Sequence, residues 1–141
     1  MYAQGASIGR CAITGNTCPG DGGGGVYSAG AIFDRCTISG NTAYAGGGVA
    51  AINTTFTNTI VWGNCASFQA NEVDGVGTDS FICCCINAAG VNGAVNYVGS
   101  QVFTNPIFCA PASCTLAPTT QGTYTLGNTS RVFRGTARVA P

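Results

Sequence analysis

The chain sets alternate residues facing one way just ahead of a recurring Gly-Asn pair. Cys11 and Ile13 precede Gly15-Asn16, Cys36 and Ile38 precede Gly40-Asn41, and Thr59 and Val61 precede Gly63-Asn64. A two-residue period signals a strand. Phe33 and Phe56 precede these strands at one register, with Ile8 in the first copy. The pattern belongs to a longer repeat. Residues 1–17 and 26–42 align without a gap at an offset of 25 residues, with nine of 17 positions identical. A more divergent third copy opens at Val49, and its Asn lies 15 positions after its Val, as Asn41 does after Val26. Residues 17–25 (TCPGDGGGG) and 42–48 (TAYAGGG) join the copies and read as Gly-rich turns.

A strand that recurs every 23 to 25 residues cannot bury its apolar face alone, but it can when the next copy stacks on it. The pattern predicts an all-β fold: a right-handed parallel β-helix (β-solenoid) of about five turns with an irregular C-terminal cap. Like residues would stack at about 4.8 Å. Ile13, Ile38 and Val61 would then form an interior column, and Asn16, Asn41 and Asn64 a corner column able to form an amide ladder. Cys11 and Cys36 would lie in consecutive turns. The Gly content and two-residue period argue against a helical solenoid. The chain reads as one domain, with regular repeats over residues 1–64, divergent turns over 65–108, and a Cys- and Pro-rich cap with an Arg-containing tail over 109–141. In the divergent part, residues 70–80 read as a longer loop before a fourth turn at FICCCI (81–86). Residues 96–98 with Val102 and Phe103 suggest a fifth.

Charge is sparse: five Arg, no Lys or His, and five acids, for a net charge of zero. That balance argues against nucleic acid, which needs many cations. No apolar run approaches the roughly 18 residues of a spanning helix. Nine Cys in 141 residues point to an oxidising compartment and hence a secreted or cell-surface protein, the alternative being buried thiols that pack as small apolar groups. No signal peptide is visible at Met1, so the chain reads as a mature product, a fragment or an incomplete precursor.

The recurring GGGV followed by C-x-I-[ST]-G-N resembles the right-handed parallel β-helix repeats of the pectate-lyase-like superfamily. It is also similar to the GGAI-type repeats of polymorphic outer-membrane proteins. TNTIVWGN (57–64) and NPIF (105–108) resemble segments near the C-terminal end of secreted bacterial β-helix proteins, where an NPIF-like element ends the coil. The resemblance covers residues 1–126. It implies the fold and leaves function open, since lyases, adhesins and surface proteins share this scaffold.

Candidate chemistry is thin. Asp34-Arg35 reads as a solvated surface pair. Glu72, Asp74 and Asp79 fall together and are the only calcium candidates, though they lack the ordered alternation of an EF-hand loop. The same stretch is a candidate carbohydrate site. Cys83-Cys84-Cys85 lacks zinc-site spacing, and with no His there is no partner for a catalytic thiol. The Gly-rich turns lack the Lys-Ser/Thr of a phosphate loop. Asn53 and Asn128 stand in N-glycosylation acceptor patterns. Thr55, Thr57 and Thr59 alternate on one predicted strand face, an arrangement that serves ice binding on other β-solenoids, but the other copies do not repeat the triplet. Trp62 is the candidate sugar-facing aromatic. Cys109 is expected to pair with Cys114 across Pro111, and Cys65 with one of Cys83–Cys85, Cys84 being the named candidate. Cys11 and Cys36 are expected to stay reduced, because parallel Cβ vectors suit a disulfide poorly.

The reading is a non-enzymatic extracellular structural protein without cofactor: a surface, adhesive or filament building block. The alternative is a carbohydrate-binding or carbohydrate-cleaving module. Self-association end to end is expected because a β-helix end exposes unpaired strand backbone. Charge is also polarised. Residues 1–79 hold five acids and two Arg, a net of −3, and residues 80–141 hold three Arg and no acid, a net of +3. Arg131, Arg134 and Arg138 in the tail are the candidate subunit contacts.

Overall fold

A computed structural model describes residues 1–106 in full and, as backbone, the strands Phe108–Ala110 and Thr123–Leu126. The chain winds into a parallel β-solenoid of about four coils. Coil one holds β1 (Tyr2–Gln4), β2 (Ser7–Gly9), β3 (Ala12–Thr14) and β4 (Thr17–Gly22). Coil two repeats them as β5 (Val26–Ala29), β6 (Ile32–Asp34), β7 (Thr37–Ser39) and β8 (Thr42–Ala45). Coil three follows as β9 (Val49–Ile52), β10 (Thr55–Thr57), β11 (Ile60–Val61) and β12 (Cys65–Gln69). Each strand pairs in parallel with its counterpart one coil on, in the register that the repeat dictates: Tyr2 on Tyr27, Ile8 on Phe33 on Phe56, Ile13 on Ile38 on Val61.

The expected loop at 70–80 is largely strand. β13 (Val73–Ile82) runs through what are two strands in the earlier coils, pairing with β9 along its first part and β10 along its last. Gly77, at φ +83°, takes up the corner inside it. Pairing is what converts this polar stretch into strand. Its backbone completes the ladder that β9 and β10 leave open, and an unpaired buried amide is costly. β14 (Cys85–Ile86) continues coil four, a single 3-10 turn follows at Ala88–Gly90, and β15 (Val91–Val98) lies on β13. Val102 then bridges to Cys85. The expected fifth turn is therefore partial, and the coil count is about four. In the cap region, β16 (Phe108–Ala110) and β17 (Thr123–Leu126) pair antiparallel.

The interior is a bundle of columns. Phe33, Phe56 and Phe81 stack with ring centroids 5.4 and 4.8 Å apart, within the range of offset stacking. Ile13, Ile38, Val61 and Ile86 form the next column, and Val26, Val49 and Val73 another. Between β2 and β3, and at each later copy, the chain turns at a left-handed residue: Arg10, Arg35, Asn58 and Cys83, with φ between +50° and +57°. Such a conformation costs a non-glycine residue about 1–2 kcal/mol, and the stacked strands on either side enforce it.

These corners explain a misread face. Strand alternation put Thr55, Thr57 and Thr59 together, but Asn58 turns the chain between them. Thr55 and Thr57 are partly exposed, while Thr59 is fully buried. Its hydroxyl lies 3.3 Å from the Phe33 carbonyl. Cys36 and Cys84 make the same kind of contact with the Ile8 and Phe56 carbonyls, at 3.5 and 3.3 Å. The column Cys11–Cys36–Thr59–Cys84 thus supplies small, weak donors to the carbonyls ahead of each corner.

Ile38 is fully buried between Ile13 and Val61, whereas Ile32 is 46% exposed. Ile38→Ala is expected to cost roughly 2–5 kcal/mol by thermal or urea unfolding. Ile32→Ala should stay within about 0.5 kcal/mol of the parent. Equal effects at the two positions would contradict the register.

Candidate functional site

The three clustered acids take three different jobs. Glu72 is buried and closes the Asn column. The Asn16 side-chain amide donates to Asn41 Oδ1 (2.9 Å), Asn41 to Asn64 Oδ1 (2.9 Å), and Asn64 to Glu72 Oε2 (2.7 Å). The backbone amides of Asn16 and Asn41 donate to the next Asn oxygen in the same sense. Glu72 Oε1 accepts from the Gly63 amide at 2.9 Å. A carboxylate suits this place because it only accepts. Burial pushes the Glu72 pKa up, against the lowering pull of these donors.

Gly-rich turns make room for the ladder. A Cβ on Gly25 would lie 3.0 Å from Asn41 Nδ2, and one on Gly48 would lie 2.9 Å from Asn64 Nδ2. The Gly-Asn pair and the GGGV turn, separated in sequence, form one packing device. In coil four Glu72 stands over Gly48, at the position that Gly25 and Gly48 hold in the earlier coils.

Asp79 points into the core. Its Oδ1 accepts from the Thr54 amide at 2.7 Å, and its buried Oδ2 has no protein partner. Burial raises its pKa. Asp74 lies outside, accepting from the Asn92 side chain (2.9 Å) and the Gln69 side chain (3.2 Å). The calcium expectation therefore fails on direction: strand alternation and the Gly77 corner send the three carboxylates apart. Among the described residues no group of three metal-ligating side chains gathers.

Asn53 is exposed at a left-handed corner, and its side-chain oxygen accepts from the Thr78 amide at 3.0 Å. Asp34 and Arg35 form an exposed ion pair, which holds the Asp34 carboxyl below its ordinary range. Trp62 is half-buried against Ile60, Cys85 and Val102 and does not stand out as a sugar platform. Cys83, Cys84 and Cys85 are free thiols, so the expected link from Cys65 to this group is not made. Cys84 faces the core, Cys85 the opposite side, and Cys83 sits at the exposed corner. Cys65 is not among the free thiols. Burial pushes Cys84 up to about 11 and Cys85 to about 12, which keeps both protonated. Cys11 and Cys36 are also free. The Cys109–Cys114 pairing, Asn128, Arg131, Arg134 and Arg138 lie outside the described residues.

Sequence reasoning passed over one surface feature. Where β4 and β8 meet β5, β9 and β13, an open groove of about 360 Å³ is lined by Asp21, Tyr27, Tyr44, Ala50, Asp74 and Val76. Tyr27 stacks on Tyr2 at 5.7 Å, and Tyr44 stacks on Phe68 at 5.0 Å. The repeat-matched Tyr2/Tyr27 pair was the available signal: in-register outward aromatics must stack.

No family model, curated protein or solved structure matches the chain.

The buried acids set a pH dependence. Asp79 and Glu72 have raised folded-state pKa values, so the folded chain holds protons that the unfolded chain releases. That stability is fully present below the ordinary carboxylate range near pH 4 and is lost as pH rises through the folded values. The melting temperature should fall from pH 4 toward neutrality. Asp79→Asn should match the parent near pH 4, exceed it at pH 7, and show a shallower slope in calorimetric melts. An unchanged slope would contradict the assignment.

Proposed function

We propose that this chain is a non-enzymatic structural building block, secreted or displayed at a cell surface, whose coils associate end to end into filaments. We place it with the pectate-lyase-like and polymorphic outer-membrane repeat proteins on the strength of its GGGV and Gly-Asn motifs. The observation that carries the reading is that the interior columns run out at both described ends of the solenoid. At one end Ile8 is only partly covered. At the other, Val91 and Val95 are partly covered, and Tyr97 is 37% exposed. These positions continue the columns that are sealed in the middle: Tyr97 lies on Phe81, and Ile8 lies on Phe33.

The strands at the ends match this. Among the described residues β1 and β2 pair only with β5 and β6, and β15 pairs only with β13. Parallel docking of β15 against β1 and β2 of a second copy would continue the eight-stranded sheet and place Tyr97 over Ile8. Such a heterologous contact does not close on itself, so it propagates as a fibre. Backbone pairing and apolar burial supply the affinity, and the opposed charges of the two halves steer the encounter. The amide ladder itself stops at Glu72, so the junction relies on the β15 edge. The alternative reading, a carbohydrate-binding module, has the exposed Tyr27 and Tyr44 rings in its favour.

Tyr97→Asp should weaken association by at least tenfold in sedimentation equilibrium, while Ile32→Asp, exposed on β6 between β2 and β10, should leave it unchanged. A parent chain that stays monomeric at high concentration, or a Tyr97→Asp variant that associates like the parent, would contradict the proposal.

A further inference from the structure

The groove between β4, β8 and β9 has chemistry that the end-to-end contact does not use. Its floor is small, since Ala50 lies so near Gly22 that a Cβ there would sit 3.0 Å away. Its aromatic lining is held in place, because Tyr27 and Tyr44 are each stacked on a second ring. Among the described residues its charge is wholly negative. There Asp21 accepts only from its neighbour's amide (Gly22, 2.8 Å), and Asp74 only from the Gln69 and Asn92 side chains. Neither carboxylate has a cation against it, since the ion pair found among the described residues is Asp34–Arg35. A groove of phenol rings and unneutralised carboxylates selects a cation. It selects a guanidinium above an ammonium, because the planar fork stacks on a ring and bonds a carboxylate with two N–H groups.

We propose that this groove receives the arginine-bearing segment 131–141 of a neighbouring copy, with Arg134 and Arg138 seated at Asp21 and Asp74. The proposal rests on the end-to-end reading, which sets one copy's β15 edge against the next copy's first coil. Charge supports this occupant. The segment carries three Arg and no acid, against a net of −3 on residues 1–79. Asp21 and Asp74 line the same groove, and Arg134 and Arg138 are four residues apart, which in an extended chain places them on one face. Seated so, the segment acts as a clasp over the junction.

The test uses the full chain. Asp21→Asn/Asp74→Asn and Arg134→Gln/Arg138→Gln should each weaken association about tenfold or more in sedimentation velocity at low salt. Combining the four changes should add little, because both pairs remove one contact. A synthetic peptide of residues 131–141 should bind the full-length Arg134→Gln/Arg138→Gln chain, read by tyrosine fluorescence, and should not bind when Asp21→Asn/Asp74→Asn is added. Additive effects of the two pairs, or peptide binding that ignores the groove substitutions, would overturn the proposal. So would a neutral oligosaccharide binding where the peptide does not. Association that survives all four changes unaltered would leave the end-to-end reading standing and remove the clasp. A parent that never associates would remove the end-to-end reading, and the proposal of a neighbour's clasp with it.

Discussion

A buried chain of amides holds the corners of this solenoid in line. Asn41 accepts from Asn16 through Oδ1, and its Nδ2 donates to Asn64 while lying 2.8 Å from the Ile13 carbonyl. Asn64 repeats the arrangement against Ile38 and Glu72. Along the side-chain bonds from Asn16 to Asn41 to Asn64 to Glu72 each donor points toward the later coil, so these bonds polarise one another and the last acceptor collects the accumulated need for negative charge. That is why the series closes on a carboxylate. It also fixes composition elsewhere. Because Gly25 and Gly48 lie against these amides, any side chain there would press on the ladder, and the Gly-rich turns follow from the Asn column rather than from a need for flexibility.

The same economy governs the second polar column. At each left-handed corner between the second and third strands a carbonyl faces the interior, and Cys36, Thr59 or Cys84 meets it. A thiol and a hydroxyl are interchangeable there because each is small and offers one hydrogen. These cysteines are thereby occupied as thiols. A high Cys count in a repeat of this kind reports packing at one position as much as it reports redox environment.

The repeat made most of the architecture readable. Columns of Ile13, Ile38 and Val61 and of the three Asn follow directly from a gap-free offset, because parallel stacking superimposes like positions. What the residues concealed were events set by neighbours in space. The polar stretch of β13 becomes strand because β9 and β10 need a partner. Thr59 turns inward because a corner intervenes at Asn58. The coil count falls short of five because β15 and Val102 provide only part of a further turn. Of the candidate site, the cluster Glu72, Asp74 and Asp79 was visible as a cluster, but the alternation of a strand disperses it. The groove drew residues from four coils, Asp21, Tyr27, Ala50 and Asp74, that lie far apart in sequence and share no motif. Only the stacked register brings them together.

The central claim is that the Asn side chains are structural groups inside the solenoid. Side-chain amide hydrogen exchange by NMR tests it most directly. The account predicts slow exchange at Asn41 and Asn64, approaching the protection of the surrounding backbone, and faster exchange at Asn16, which is exposed at the open end of the ladder. Exchange at Asn41 and Asn64 as fast as at an exposed amide such as Asn92 would contradict it.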